Sequence, residues 1–543
     1  MTGIAKVILP TALDKEFDYS FSESQAVEKG MRVEVDFRGR KSLGLVVSLA
    51  RQSKIKNLKN ISGILDAQPL LDNQQFSFAE ALSRYYPYSL GEFLFMMLPP
   101  YLKKLHPCGS QDRRRPNQKC NLPSTKFIKA NDVMERYRQW RSLVNEKLKS
   151  GSVLICLPQS SYLLKVRDLL ERDFPRRVKA LHSHQTEKEF FQNWCQSRQN
   201  SLIIGMRMAL FYYPADLNLM IIEEEDSQHY FQEEKPFYHL REAAGLLSKN
   251  MGIDLVLAGN NPSLATYKRI CDNQIELIER VQETKKINLI DLGGSLRKKI
   301  VGPVLIESLG KTLGSGKTAV VLWNKKDNPK SLGLGIKGLA ARLKLQFPEA
   351  RIDSWEKRSL NSRIVLATVE ILSSLYDREV FDAGFLLDTD AMLGRPDYQV
   401  TFDTYLYIKK LGSFFREPLS VFTVNPQYYL FEYLNQDWRQ YYQKELNLRK
   451  KMELPPCKLL VKISLRSKNE KPLLKYAQDL YNNLKADFAE IYGPSPDHPF
   501  KLRDKYRYLI TIKTEGSPQQ NRKFTEKIAR ARRGNLQLAV QLH

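Results

Sequence analysis

The chain has 543 residues, too long for a single core and enough for about three to four domains. With 42% hydrophobic and 27% charged residues it has the composition of a globular protein and not of a disordered one. Its 85 lysines and arginines against 60 aspartates and glutamates leave a net charge of +25, a surplus that favours a polyanionic partner such as nucleic acid. The densest apolar stretch, residues 93–102, is broken by Pro99 and Pro100 and falls short of the ~18 residues a membrane helix needs. No secretory leader is expected, because the first residues carry no apolar block of sufficient length before Pro10. The six cysteines are scattered singly at 108, 120, 156, 195, 271 and 457, which argues against a disulfide framework and a structural zinc site. A soluble, cytoplasmic protein with no membrane association is the expectation.

Residues 1–104 read as a small β-rich domain. Residues 31–37 alternate, with Val33, Val35 and Phe37 on one face. Arg38, Gly39, Arg40 and Lys41 then make a turn into a second apolar strand at 43–49, giving a hairpin with a cationic tip. Residues 76–86 are helical. Residues 105–122 are polar, basic and proline-containing, and read as a linker.

From 123 to 284 short apolar strands at 153–157, 202–204, 219–222 and 255–258 alternate with helices such as 132–149 and 163–172, which predicts a parallel α/β sheet. A second series occupies 285–436, with strands at 288–292, 319–323, 364–368, 383–387 and 419–424. Two consecutive α/β lobes are the layout of a helicase-type motor. The C-terminal part, 437–543, opens on a helix at 437–452 that places Trp438, Tyr441, Tyr442 and Leu446 on one face, and ends as an α+β domain.

Three strings near the N-terminus carry a resemblance: LPTALDKEFDYSF, GMRVEVDFRGRKSLGLVV and RYYPYSLGEFLFMMLPPYL. In order, over the first hundred residues, they resemble the opening domain of the primosomal protein N-prime (PriA) family of bacterial replication-restart helicases. In that family the domain holds the 3′ end of a nascent strand at a stalled fork. The resemblance implies a pocket of Phe17, Asp18, Tyr19 and Lys59, with the family's glycine falling on Arg38 or, one residue on, Gly39. The chemistry is sensible unaided. A carboxylate can accept a hydrogen bond from a terminal hydroxyl, aromatics can stack a base, and a lysine can meet a phosphate. The same residues also fit a strand whose aromatics are core and whose aspartate caps a turn. Arg38, Arg40 and Lys41 are expected to meet the DNA backbone.

The resemblance continues through both lobes, but the residues that handle nucleotide have thinned. Where the family's phosphate loop belongs stands STKFIKANDVMERY, with no glycine to let backbone N–H groups curl around phosphates. A later string, KTLGSGKTAVV at 311–321, ends like a Walker motif in Gly316, Lys317 and Thr318. It lies between a helix and a strand instead of between a strand and a helix, so it reads as an ordinary turn. The family's acidic box becomes Glu223–Glu224–Glu225–Asp226. Glu223 and Glu224 are its vestigial carboxylates, still able to hold or orient Mg²⁺ through water. The coupling motif falls on Gly259, Asn260 and Asn261. The arginine-finger motif falls on YIKKLGSFFREP, with Arg416 its one candidate. The zinc insertion is missing between Trp323 and Leu332, and the winged-helix insertion has shrunk to the linker.

Residues 437–465 and 492–513 resemble the family's terminal domain, which the resemblance implies binds single-stranded DNA. Tyr506, Tyr508, Ile510 and Ile512 share one strand face, and Arg507 and Lys513 the other. This fits base stacking beside phosphate contacts and equally a half-buried strand with solvated cations. A basic helix at 523–533 divides in the same way.

The sequence thus predicts a multidomain α/β protein: a β-rich 3′-end-binding domain, two degenerate RecA-like lobes and an α+β DNA-binding domain. Its expected function is to bind forked or single-stranded DNA and recognise a 3′ end without ATP hydrolysis or unwinding. It would serve as a scaffold for primosome or helicase-loading proteins, with no catalytic residue, cofactor or metal, zinc included. Two readings compete with it. One is an active ATP-dependent 3′–5′ DNA helicase with diverged motifs, using ATP and Mg²⁺. The other is a structural protein whose basic surface docks on an acidic partner.

Overall fold

The computed structural model describes the chain except residues 1, 12–14, 23, 110–121, 198–199, 280–285, 294–301, 324–334, 369–370, 372–380, 388, 517–523, 525, 529–530 and 532–536. Most of the expected linker, the segment where the zinc insertion is expected to be missing and most of the expected basic helix at 523–533 lie outside the described residues.

The N-terminal strands close into a five-stranded barrel, in the order Thr2–Ile8, Phe17–Ser22, Lys59–Ile64, Arg32–Phe37, Arg40–Ala50. The strand period of two sends Val33, Val35 and Tyr19 into its interior, with Ala5 and Val7 opposite them. The predicted hairpin forms with a tighter turn than expected: Arg38 and Gly39 alone, at φ 54° and 78°, make the connection. Positive φ at both central residues is the two-residue hairpin geometry whose twist matches the flanking strands. Arg40 and Lys41 already belong to the second strand. Gly44 is required by closure itself, since a Cβ there would sit 2.3 Å from Val7 Cγ1 on the neighbouring strand.

Helices Asn73–Tyr85 and Leu90–Met96 cover one outer face of the barrel, against Leu43, Leu45 and Val47. Residues 102–108 are strapped to the barrel and are not yet linker. Arg32, fully buried, is paired with Asp66 at 2.5 Å and donates to the carbonyls of Leu102 (2.7 Å) and His106 (2.9 Å). The Cys108 N–H donates to Leu65 O at 2.8 Å.

The first lobe is a seven-stranded parallel sheet in the order Glu276–Glu279, Thr125–Lys129, Asp254–Gly259, Leu217–Glu223, Ser152–Cys156, Leu202–Gly205, Val178–Leu181. Both faces are covered, which explains why its central strands are continuous apolar runs and not alternating ones. Strands 125–129, 178–181 and 276–279 were not expected. They are flanking strands whose mixed composition (TKFIK, VKAL, ELIE) lacks that apolar signature.

The second lobe is a six-stranded parallel sheet ordered Ile287–Asp291, Leu419–Thr423, Ala383–Leu386, Ala319–Leu322, Ile364–Ala367, Ile352–Ser354. The C-terminal domain is an antiparallel sheet, ordered Ile491–Leu502, Lys505–Thr514, Leu459–Ser467, Gln537–Leu542, under helix Glu470–Lys485. Helix Trp438–Lys451 does not belong with it. Trp438, Tyr441 and Tyr442 are buried in the core of the second lobe, so that core extends past the expected boundary at 436. The two ends of the chain meet: Tyr88 Oη donates to Val540 O at 2.9 Å, and Ala539 and Leu542 pack on the core shared by the N-terminal domain and first lobe.

A half-buried histidine at this junction makes stability depend on pH. His239 Nδ1 accepts from the Arg241 N–H at 3.2 Å and so caps helix Leu240–Met251. Burial, with the Arg241 cation beside it, pushes its pKa down to about 3. Between the ordinary value near 6.5 and that folded value the unfolded chain binds a proton the folded one refuses, so stability falls as pH drops through this window. From pH 7 to pH 5 the protein is expected to lose about 2 kcal/mol more than a His239→Asn variant that keeps a capping acceptor, measured by urea unfolding.

Candidate nucleic-acid interface and the cleft between the lobes

The five residues of the expected 3′-end pocket divide into two groups. Strand alternation puts Phe17 and Tyr19 on one side of their strand and Asp18 on the other. Tyr19 is not an exposed stacking surface: it is buried in the barrel core, and its hydroxyl donates to Asp36 O at 3.0 Å. Phe17 is half-buried, edge-on to Phe37 with ring centres 5.1 Å apart. Gly39 and Lys59 converge with Tyr19 on Asp36, a residue the sequence did not single out. Asp36 Oδ1 accepts from the Gly39 N–H at 3.1 Å and is ion-paired with Lys59. That lysine, then the Gly39 N–H, holds the Asp36 carboxyl below the usual carboxylate range.

Asp18 stands apart on the outer wall. It accepts from Ser53 Oγ at 2.5 Å, with Lys6 Nζ 3.8 Å away. A carboxylate with a hydroxyl and a cation beside it, on an outer surface, is suited to receive a terminal hydroxyl. The cationic tip is exposed at Arg38, Gly39, Arg40 and Lys41, with Arg38 lying over the Phe37 ring at 5.3 Å and Lys41 paired to Glu34 at 2.7 Å.

In the C-terminal sheet the expected stacking surface is core. Tyr508, Ile510 and Ile512 are buried, and Tyr506 and Tyr508 pack on Phe500 with ring centres at 5.5 Å. Arg507 faces the other way, as the strand period requires, and is ion-paired with Asp497 while donating to His498 O at 3.2 Å. Lys513 donates to Met452 O at 3.0 Å. Both cations are thus tied to their own chain, Arg507 to residues 497–499 of the neighbouring strand and Lys513 to the carbonyl of Met452.

The cleft region where the sequence places the phosphate loop and acidic box is organised around one residue. Strand Thr125–Lys129 leads through residues 130–132 into helix Val133–Lys147, the strand-to-helix order a phosphate loop requires, with a three-residue connection and no glycine. Arg136, in the first turns of that helix, is fully buried. Its Nε lies 2.5 Å from Glu223 Oε1, its Nη1 donates to Ala130 O (2.7 Å) and Asn260 Oδ1 (2.8 Å), and its Nη2 lies 3.4 Å from Glu224 Oε1. One guanidinium thus joins the positions of the phosphate loop, the acidic box and the coupling motif. Burial opposes its charge, but the Glu223 carboxylate more than offsets that and raises its pKa.

Two of the remaining acids are also held by cations. Glu224 Oε2 is held by Lys410 of the second lobe at 2.6 Å, and Glu225 accepts from Arg241 (2.8 Å) and the Ser263 N–H (2.7 Å). Burial lifts the pKa of Glu223 even beside Arg136, and pushes Asp226 up to about 7. ATP and Mg²⁺ do not fit this set. Phosphates would find no glycine-built nest of N–H groups. A divalent ion would have to displace a guanidinium from a carboxylate whose burial favours its protonated form. Among the described residues no group of three or more histidine, cysteine or acidic side chains is arranged to hold a metal ion, and no helix is long and apolar enough to cross a membrane.

The Walker-like string is the expected turn, between helix Pro303–Gly314 and strand Ala319–Leu322. Lys317 is paired with Glu417, and Thr318 donates to Asp382. Arg416 lies in the same cluster, 3.2 Å from Asp382, and not in the cleft. The basic residue that the finger segment does place in the cleft is Lys410.

Two family models match the chain: the 3′ DNA-binding domain over residues 6–99 and the primosomal protein N C-terminal domain over 450–542. The replication restart protein PriA of Thermotoga maritima is 23% identical over 69% of the chain, which spans 61% of that relative's own length. The replication restart protein PriA of Borreliella burgdorferi is 22% identical, with 87% of the chain and 88% of that protein covered. Among solved structures, Saccharomyces cerevisiae Dbp5 bound to RNA and ADP BeF3 is matched over 60% of this chain and 90% of its own, at 12% identity and a TM-score of 0.37.

Proposed function

Because the chain belongs to the PriA family of replication restart proteins, we propose that it binds forked or single-stranded DNA and recognises a 3′ end, as a scaffold that neither hydrolyses ATP nor unwinds DNA. The observation that carries the second half is Arg136, which neutralises Glu223 and Glu224 from within and takes the place of a metal-bound phosphate. The first half is supported by the 3′ DNA-binding and C-terminal domain matches at either end of the chain, and by the packing of those two domains against each other. In this reading the residues that bind are Asp18 for the terminal hydroxyl, Phe17 for the last base, Lys59 for its phosphate, and Arg38, Arg40 and Lys41 for the backbone. Partners that load the replicative helicase complete the scaffold role.

Two measurements test this. The protein is expected to show no DNA-stimulated ATP turnover on forked DNA. Turnover that Lys317→Ala or Arg136→Lys abolishes would establish the active-helicase alternative. Asp18→Ala is expected to lower the preference for a free over a blocked 3′-hydroxyl by about tenfold, the worth of a hydrogen bond to a charged group, while leaving overall affinity nearly unchanged. Equal loss on blocked and free ends would remove Asp18 from the pocket.

A further inference from the structure

We propose that the cleft between the two lobes is a permanent joint, in which the protein's own cations hold the lobes in one fixed arrangement that nucleotide does not change. Two bolts and a shared core make it. The first bolt is Glu224, whose backbone adopts φ 54°, a conformation non-glycine residues keep where surrounding contacts impose it. That conformation follows directly on strand Leu217–Glu223 and sets the Glu224 carboxylate between Arg136 of the first lobe and Lys410 of the second. Lys410 and Glu224 are 18% and 9% exposed, so the pair is poorly screened by solvent.

The second bolt is Glu279, at the end of strand Glu276–Glu279. It accepts from Trp438 Nε1 at 3.0 Å and pairs with Arg439, both on the helix whose core is that of the second lobe, and with Lys129 of the first lobe at 3.0 Å. Between the bolts the lobes share an apolar core. Tyr267 and Leu264 of the first lobe lie in one apolar cluster with Trp438, Tyr441 and Tyr442, the Tyr267 ring standing 4.9 Å from that of Tyr442. Tyr442 also donates its hydroxyl to Pro262 O at 2.5 Å. A motor cleft must open and close with its fuel, whereas a seam of buried aromatics flanked by half-buried ion pairs gains nothing from opening. Lys410 and Glu279 are positioning residues: they fix where the lobes present themselves to DNA.

The inference uses the same Arg136–Glu224 geometry as the non-hydrolytic reading, and a distance measurement separates the two. Spin labels on non-canonical residues replacing exposed Arg172 of the first lobe and Leu345 of the second report the interlobe distance in the full chain. A single narrow distribution is expected, identical with and without Mg-ATP. Lys410→Glu, which sets two carboxylates against each other, is expected to add a longer population, and Lys410→Arg to preserve the original one. Should Lys410→Glu lose its fold by circular dichroism, Lys410→Gln and Glu279→Gln give the same readout with smaller perturbation. Two populations in the wild type, a shift on adding Mg-ATP, or distributions in all the loss-of-charge variants indistinguishable from wild type would overturn the joint. ATP turnover measured on the same samples distinguishes the claims. Turnover at fixed distance would sink the non-hydrolytic reading and leave the joint, while a broad distribution without turnover would do the reverse.

Discussion

Arg136→Ala is expected to destabilise the first lobe by about 3–5 kcal/mol, the cost of removing one partner from a buried ion pair. The guanidinium is completely excluded from solvent and serves four acceptors on three segments. Without it Glu224 keeps Lys410, but Glu223 is left with the Tyr162 hydroxyl at 3.3 Å as its charge-stabilising partner. Burial already raises the Glu223 pKa, and loss of the cation raises it further. A carboxyl whose folded pKa lies above its unfolded value favours the folded state below the unfolded value, and that advantage is lost as pH rises. The defect of Arg136→Ala is therefore expected to be smaller at pH 5 than at pH 8, and to be partly repaired by Glu223→Gln in the same chain. Urea unfolding followed by the fluorescence of Trp140, buried on the same helix, reads all three comparisons. An unchanged midpoint for Arg136→Ala would mean that the arginine does not hold the site together.

Much of the scaffold was legible because it obeys short-range rules. Val33, Val35 and Phe37 announce a strand, and Arg38–Gly39 is a turn because two successive positive φ values are required there. Lys317 is recognisable as a turn residue from the order helix, then strand, which no phosphate loop shows. The cleft was legible only as a loss of motifs. Arg136 reads as one more charge in the polar run VMERYRQW, and nothing in helical periodicity says that it reaches 87 residues ahead to Glu223. Lys410 likewise sits in a segment read for its arginines, and its partner lies 186 residues away. Asp36 does not stand out in the sequence because an aspartate before a turn has a sufficient local explanation, whereas its three partners come from two other strands and a turn. The tyrosines of the C-terminal sheet show the converse. A period of two identifies a face without saying whether that face meets solvent or a helix, and here helix Glu470–Lys485 covers it.

Raising salt from 50 to 200 mM is expected to weaken binding to forked DNA about a thousandfold, the consequence of roughly six phosphate contacts releasing their counterions. The excess of 25 positive charges, which already sets every acid against a cation, is large enough to support a figure of this size, although particular cations are committed to internal pairs. Lys59 neutralises Asp36, Arg507 neutralises Asp497, and Arg136, Arg241 and Lys410 serve the acidic box. On the N-terminal domain the exposed cations include Arg38, Arg40 and Lys41 at the hairpin tip and Arg51, Lys54 and Lys56 in the segment before strand Lys59–Ile64. Substituting Arg38, Arg40 and Lys41 together by alanine is therefore expected to reduce the slope of log affinity against log salt by about 2.7 if all three meet duplex phosphates, or about 2 on a single strand. Lys41 shares its charge with Glu34, so its part of the decrement is the one most readily lost. Arg507→Ala provides the contrast. Its ion pair and its bonds to the carbonyls of residues 498 and 499 are intramolecular, so the salt slope should barely move while the C-terminal sheet loses stability. A slope unaffected by the tip substitution but lowered by about 0.9 by Arg507→Ala would transfer a backbone contact from the first domain to the last, and would require the Asp497 pair to open when DNA binds.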